Sequence, residues 1–151
     1  MKQSVLLTLL SVLLISCNTS TKNNELSTPV KGTWELISGT TIVKDDTTHT
    51  DYTKGQKMIK IINDTHFAFL RHDLNQGKDS SAIFDSGAGR YTLNGDQYTE
   101  YLDYCNHREW EGHTFTFKVL VVNDTLTQSG IEKVEEAGID RMIIEKYTRA
   151  K

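Results

Sequence analysis

From Val30 onward, apolar and polar residues alternate within short segments of the chain. The segments are rich in Thr, Ile, Val, Tyr and Phe, and the turn-favouring residues Asn, Asp and Gly separate them. A period of two places successive side chains on opposite faces of a strand, so the pattern predicts an all-β domain. Eight strands are predicted, at residues 32–43, 57–62, 66–72, 89–93, 97–105, 113–122, 125–129 and 140–148.

The connections between the strands decide whether they form a barrel or a sandwich. An up-and-down barrel joins neighbouring strands by hairpins, whereas a Greek-key sandwich needs connections that cross between two sheets. Three hairpins in succession favour an up-and-down, eight-stranded antiparallel barrel. Their turns contain residues that tolerate positive φ, namely Asn63-Asp64, Asn94-Gly95-Asp96 and Asn123-Asp124. Two longer polar connections remain, 44–56 and 106–112, and the first is a candidate cover for one mouth of the barrel.

The composition fits one globular domain and argues against a nucleic-acid partner. A chain of 151 residues, of which 37% are apolar, can form one substantial core and is short for two. The formal net charge is -3, and the 17 basic residues are scattered along the chain. Nucleic-acid binding requires a basic patch or stripe, so we expect no such partner.

The N-terminal residues are typical of a secretory signal. Lys2 supplies a positive charge, and residues 5–15 form a nearly unbroken apolar run that is too short to span a bilayer. The run ends in Leu14-Ile15-Ser16-Cys17, which resembles the lipobox of bacterial lipoproteins. The resemblance implies cleavage before Cys17 and attachment of acyl chains such as palmitate to that residue. The alternative is an ordinary cleaved signal in which the cysteine occurs by chance.

The predicted anchor divides the chain into three segments. Residues 1–16 are the signal peptide, residues 17–29 a lipidated flexible tether, and residues 30–151 the barrel domain. The tether is rich in Asn, Ser and Thr and has almost no apolar side chain, so it cannot form a core. By resemblance to bacterial sorting signals, Asn18 after the cysteine favours the outer membrane. We therefore expect a protein of the cell envelope that its lipid holds to the membrane.

Alternation also predicts which side chains face the barrel interior. Phe115 and Phe117 share one face of their strand, and Phe67, Phe69 and Arg71 share one face of theirs. These faces are the apolar ones, so we expect them to line the interior.

The strand at 97–105 carries a carboxylate on its more apolar face. Tyr98, Leu102 and Tyr104 share this face with Glu100, whereas the odd-numbered residues, which end at Cys105, face the other way. A carboxylate that faces a barrel interior needs a partner. Glu100 is therefore either part of a structural network or the polar anchor of a ligand pocket. The candidate partners are Arg71, Arg90 and Tyr91.

The first and last predicted strands resemble those of lipocalins. Gly32-Thr33-Trp34 matches the Gly-x-Trp signature of that family, and Arg149 matches the basic residue that packs across its tryptophan. The resemblance implies that Trp34 and Arg149 meet at the narrow end of the barrel in a cation–π contact. The chain departs from typical secreted lipocalins in one respect, since Cys105 is the one cysteine that follows Cys17, which leaves no tether disulfide.

The middle of the chain resembles the lipocalin-like domains of secreted lipoproteins from Bacteroidota. The resemblance rests on Gly89-Arg90-Tyr91-Thr92-Leu93, followed by Gly95-Asp96-Gln97-Tyr98-Thr99-Glu100. It continues through Gly112, Phe115 and Phe117 to Asn123-Asp124-Thr125-Leu126. It covers about residues 30–149, nearly all of the predicted domain.

The sequence carries no pattern typical of a metal centre or a hydrolase. Its five histidines include no pair at i, i+2 on one strand beside a third ligand. His66 and His72 alternate against the inward phenylalanines, so we expect both to face solvent; a single axial histidine for haem is left open. No Gly-x-Ser-x-Gly motif is present, and Cys105 is expected to be a small strand-end residue rather than a reactive thiol. We expect no enzymatic activity, no metal and no cofactor.

Together these features predict a membrane-anchored, lipocalin-like barrel that binds a small, largely apolar molecule. The alternative is a ligand-free structural or protein-interaction module, since an eight-stranded barrel can be filled by its own side chains. An isomerase or hydrolase would need a second polar group that converges on Glu100. The predicted ligand-binding residues are Tyr98, Glu100, Tyr104, Phe67, Phe69, Arg71, Phe115 and Phe117.

Overall fold

The computed structural model describes residues 29–151, and these form nine β-strands and two 3-10 turns. The predicted signal peptide, Cys17 and the tether up to residue 28 lie outside the described residues. The strands are β1 (Gly32–Val43), β2 (Asp46–Asp51), β3 (Gln56–Ile62), β4 (His66–Asp73), β5 (Phe84–Asn94), β6 (Gln97–Cys105), β7 (Thr114–Val122), β8 (Thr125–Val134) and β9 (Ile139–Arg149). The 3-10 turns are Arg108–Trp110 and Glu135–Ala137.

The strands form a closed antiparallel barrel of eight strands with one additional strand. From β3 to β9 each strand pairs with its neighbours in the chain, and β1 closes the barrel by pairing with both β3 and β9. The predicted all-β, up-and-down barrel is therefore confirmed. Closure leaves no free edge in the wall where β1 meets β3.

The sequence pattern did not predict the additional strand β2. One edge of β1 is divided between two partners, because residues 32–35 pair with β3 and residues 38–43 pair with β2. The predicted connection 44–56 is thus a hairpin arm rather than an irregular cover. The sequence of β2, Asp-Thr-Thr-His-Thr-Asp, contains no apolar residue, so it shows no alternation from which a strand could be predicted.

The two ends of the barrel differ in the length of their connections. Tight turns at 63–65, 95–96 and 123–124 lie at one end, together with the first and last described residues. The connections at 74–83, 106–113 and 135–138 and the β1–β2 turn lie at the other. We call these the closed end and the open end.

Trp34 and Arg149 are in contact at the closed end of the barrel, as the resemblance to lipocalins implied. They are opposite each other in the β1–β9 register, and the guanidinium carbon of Arg149 lies 4.2 Å from the centre of the Trp34 ring. The indole N–H of Trp34 donates to the carbonyl of Val30 at 2.6 Å, and the Arg149 guanidinium donates to the carbonyl of Lys31. Trp34 is completely buried, so its hydrogen bond satisfies the one polar group that burial removes from water.

A β-bulge between β5 and β6 overturns the prediction for Tyr104. Ala88 is opposite Tyr104, but Arg90 is opposite Tyr101, so two residues of β6 face Gly89 alone. The extra residue reverses the alternation: Tyr104 is 68% exposed on the outer face, and Cys105, predicted to face outward, is buried. A Cβ at residue 89 would overlap the carbonyl oxygen of Tyr101, so the close approach of the two strands requires glycine.

Two strands extend at least five residues beyond their predicted bounds. β5 begins at Phe84, five residues early, because Asp85-Ser86-Gly87-Ala88 is a segment of low β-propensity that pairing with β4 holds extended. β8 continues to Val134 through Gly130, which interrupts the apolar pattern. The absent side chain at Gly130 leaves the space that the Phe117 ring occupies.

We predict that Trp34→Ala lowers the free energy of unfolding by about 3–5 kcal/mol, since it leaves a cavity and removes the ring beneath Arg149. Urea denaturation measures the loss, with Leu120→Ala on the exposed outer face of β7 as the control, for which the change is expected within about 0.5 kcal/mol. A loss for Trp34→Ala no larger than that of the control would contradict closure of the barrel by Trp34 and Arg149.

Candidate functional site

The barrel contains a cavity of about 310 Å³ that extends from the open end toward the middle of the interior. Its apolar wall is formed by Met58, Phe69, Leu102, Trp110, Phe115 and Phe117. Its polar wall is formed by Tyr52, Lys60, Arg71, Asp85, Glu100, Cys105, His107, Gln128, Glu132, Arg141 and Glu145. The interior therefore carries more charge than the sequence predicted.

A buried ion pair forms the floor of the cavity. Lys60 is 2% exposed and Glu100 is 6% exposed, and the ammonium of Lys60 donates to Glu100 Oε1 at 2.7 Å. The same ammonium donates to the side-chain oxygen of Gln128 at 2.9 Å. Strands β3, β6 and β8 each contribute one of these residues at an inward position. The three side chains join opposite sides of the barrel wall.

Aromatic rings surround the Lys60 ammonium. Its nitrogen lies 5.7 Å from the ring centres of Phe67 and Tyr147 and 5.8 Å from that of Tyr98. Ring faces carry negative electrostatic potential, so they partly replace the water that the ammonium has lost. The pair and the rings together form a layer that separates the packed closed half of the barrel from the hollow open half.

The predicted orientation of Glu100 is correct, but the predicted partners are wrong. Arg71 lies nearer the open end, Arg90 pairs with Asp103 on the outer surface, and the Tyr91 hydroxyl donates to the Asn63 carbonyl. Burial raises the pKa of Glu100, and the positive charge of Lys60 opposes this shift. The carboxylate therefore depends on Lys60 for its charged form.

Tyr98 lies beside this pair with its hydroxyl unsatisfied. The oxygen is buried and has no hydrogen-bond partner within residues 29–151. Burial raises the pKa of Tyr98 strongly, and the nearby charge of Glu100 adds to the effect. The phenol is therefore neutral at any physiological pH.

Near the open end, Arg71 is held by three side chains. Its guanidinium donates to Gln56 at 2.7 Å and to Asp85 at 3.1 Å, and it lies 5.3 Å from the centre of the Tyr52 ring. His107 contacts the other oxygen of Asp85 at 2.8 Å. These groups fix one side of the cavity mouth.

Strands β8 and β9 contribute a second ion pair on the opposite side. Arg141 Nε donates to Glu132 Oε2 at 2.7 Å, and Nη2 lies 2.7 Å from the same oxygen. The guanidinium carbon lies 5.5 Å from the Trp110 ring centre. Burial raises the pKa of Glu132, and the Arg141 charge opposes this shift.

Glu145 lies four residues beyond Arg141 on the same inward face of β9. Its Oε2 accepts a hydrogen bond from the Tyr147 hydroxyl at 2.6 Å. Burial, followed by the charge of Glu145, raises the pKa of Tyr147 well above its usual value. Within residues 29–151, no lysine or arginine forms an ion pair with Glu145.

The structure brings together most of the predicted ligand-binding residues. Phe69, Arg71, Glu100, Phe115 and Phe117 line the cavity. Phe67 and Tyr98 face inward but lie in the layer beneath the cavity, and Tyr104 lies outside.

Sequence reasoning missed the charged residues at inward positions. In β9, the alternation that places Ile143 and Tyr147 inside also places Arg141 and Glu145 there. In β3, Lys60 shares the inward face with Met58 and Ile62. The signal was present, but a search for apolar faces does not detect it.

Neither the histidines nor the comparisons with known proteins identify a ligand for this cavity. His66 and His72 are exposed, as predicted, and the described residues contain no group of three potential ligands that could hold a metal ion. No helix within residues 29–151 is long and apolar enough to cross a membrane. Comparison of the sequence with family models and with curated proteins finds no match.

We predict that Lys60→Met and Glu100→Gln each lower the free energy of unfolding by about 3–5 kcal/mol, because each leaves a buried charge without its opposite charge. The double variant Lys60→Met/Glu100→Gln should lose less than the sum, because neither charge remains. A double-mutant cycle by urea denaturation measures the coupling, and strictly additive losses would contradict the pairing.

Proposed function

We propose that this protein is a lipocalin-like carrier or receptor that binds a small, largely apolar molecule in the cavity of its barrel. The observation that carries the proposal is the cavity itself. Its volume of about 310 Å³ is at the lower end of the range of roughly 300–1,000 Å³ typical of small-molecule sites. The molecule is therefore small.

The cavity supports this function over that of a ligand-free module. A barrel that serves only as a scaffold can fill its interior with side chains, as the closed half of this one does around Trp34 and Phe67. The open half instead has an apolar wall that includes Phe69, Phe115 and Phe117. Apolar surface left facing a space inside a protein favours an apolar guest over water.

The charged residues of the wall are consistent with a preformed binding site. The three cations Lys60, Arg71 and Arg141 are each held by a carboxylate within 3.1 Å. Side chains fixed in this way keep their positions when the cavity is empty, which lowers the cost of binding. A few fixed polar groups in an apolar wall orient a ligand.

We propose binding rather than catalysis. Lys60 is a second polar group that converges on Glu100, as an isomerase or hydrolase would need. Both hydrogen bonds of its ammonium to side chains, however, go to Glu100 and Gln128, and rings cover its remaining sides. A lysine held in this way serves the structure.

We also propose that the barrel is attached to the envelope, at the outer membrane, through acyl chains on Cys17. The support is the apolar run 5–15 followed by the lipobox-like Leu14–Cys17. Two or three long acyl chains, at about 0.8 kcal/mol per buried methylene, are enough for stable anchoring.

For the cavity, we predict that Leu102→Trp abolishes binding of a small neutral probe, 2-phenylethanol, because the larger ring fills the space. Leu120→Trp, on the exposed outer face of β7, should bind the probe like the natural protein. Titration followed by protein NMR measures both, and native mass spectrometry identifies any co-purified molecule. Equal probe binding by both variants would contradict a site in the cavity.

For the anchor, we predict that Cys17→Ala releases the protein from the membrane fraction and abolishes its labelling by palmitate. Cys105→Ala is the matched control, since it removes the other cysteine and should leave both properties unchanged. Cell fractionation and mass measurement of the N-terminal peptide check this. Membrane retention of Cys17→Ala, together with an unmodified natural peptide, would overturn the proposal.

A further inference from the structure

Acidic side chains outnumber lysine and arginine side chains in the cavity lining. Four carboxylates line it, and three lysine or arginine side chains oppose them. His107 also lines the cavity, but it contacts Asp85 at the mouth, 2.8 Å away. The cavity therefore has one carboxylate more than its lysines and arginines can neutralise. The carboxylates belong to Asp85, Glu100, Glu132 and Glu145.

The ion pairs identify which carboxylate is in excess. Glu100 is paired with Lys60, Asp85 with Arg71 and Glu132 with Arg141. Glu145 alone among the four has no cationic partner within residues 29–151, and the hydrogen bond from Tyr147 reaches its Oε2. Its Oε1 accepts no hydrogen bond from any described residue.

The charge of Glu145 acts on the groups around the cavity. It contributes to the raised pKa values of Tyr52, Glu100, Glu132 and Tyr147. All four are acids whose ionisation a neighbouring negative charge opposes. A positive charge placed beside Glu145 would relieve this repulsion, whereas an anionic ligand would add to it.

The surroundings of Glu145 suit a ligand with an apolar body. Phe69, Phe115 and Phe117 line the same cavity. Tyr52, which also lines it, lies at the open end, where the β1–β2 hairpin meets the barrel. A molecule that enters from this end meets both the rings and the carboxylate of Glu145.

We propose that the ligand of this cavity is a small organic cation, an apolar body with one protonated amine that ion-pairs with Glu145. The inference rests on the proposed binding function and specifies its chemistry. It selects amines over neutral molecules of the same shape and excludes carboxylic acids, including fatty acids, as preferred ligands.

Three probes of nearly equal size and shape test the charge preference: 2-phenylethylamine, 2-phenylethanol and phenylacetate. Their affinities for the purified protein are measured by NMR titration at pH 7. We expect the amine to bind roughly ten to a hundred times more tightly than the alcohol, as a charged hydrogen bond in a partly buried site implies. Phenylacetate should bind more weakly than the alcohol.

Glu145→Gln tests the assignment to this residue. Glutamine keeps the shape and can still accept from the Tyr147 hydroxyl, so the fold should be retained. The variant should lose the amine preference by the same factor and bind the alcohol as before. Glu35→Gln is the matched control, since it removes one carboxylate that pairs with Lys57 outside the cavity, and it should change none of the affinities.

The outcomes separate this inference from the proposed function. If the alcohol binds but the amine gains nothing, or if Glu145→Gln leaves the amine preference intact, the amine inference is wrong and a binding cavity stands. If none of the three probes binds, the proposed function itself fails.

Discussion

The ion pair between Lys60 and Glu100 divides the interior of this barrel into two halves. Toward the closed end, Trp34, Leu36 and Tyr147 pack without space for a guest. Toward the open end, inward positions of the strands carry charged side chains among aromatic ones, and a cavity remains. Because a buried charge is tolerated only with its partner, the two residues set the depth that any ligand can reach.

Three ion pairs line the open half of the barrel. Each ion pair joins different strands: β3 with β6, β4 with β5, and β8 with β9. Moving these strands inward would take the charged groups further out of water, which costs free energy. The charges of the wall therefore oppose collapse of the cavity.

Alternation along each strand predicted the barrel and part of its interior. It carries no information about contacts between strands, and these determine the rest. Regular alternation in β7 placed Phe115 and Phe117 correctly, and it placed Glu100 inside by position, independent of its polarity. It failed at Tyr104, because a bulge is a property of two paired strands and not of either one. The partner of Glu100 could not be predicted, since Lys60 is 40 residues away and meets it across the barrel interior.

Both ends of the described chain leave the barrel at its closed end, where the Val30 carbonyl accepts the Trp34 indole N–H and Arg149 lies over the ring. β9 has 11 residues, so the far ends of such strands are roughly 35 Å from this point. A biosensor surface or a fused reporter protein attached at either terminus would therefore leave the mouth unobstructed. The same geometry places the opening at the end of the barrel that is farther from any support attached at these ends of the chain.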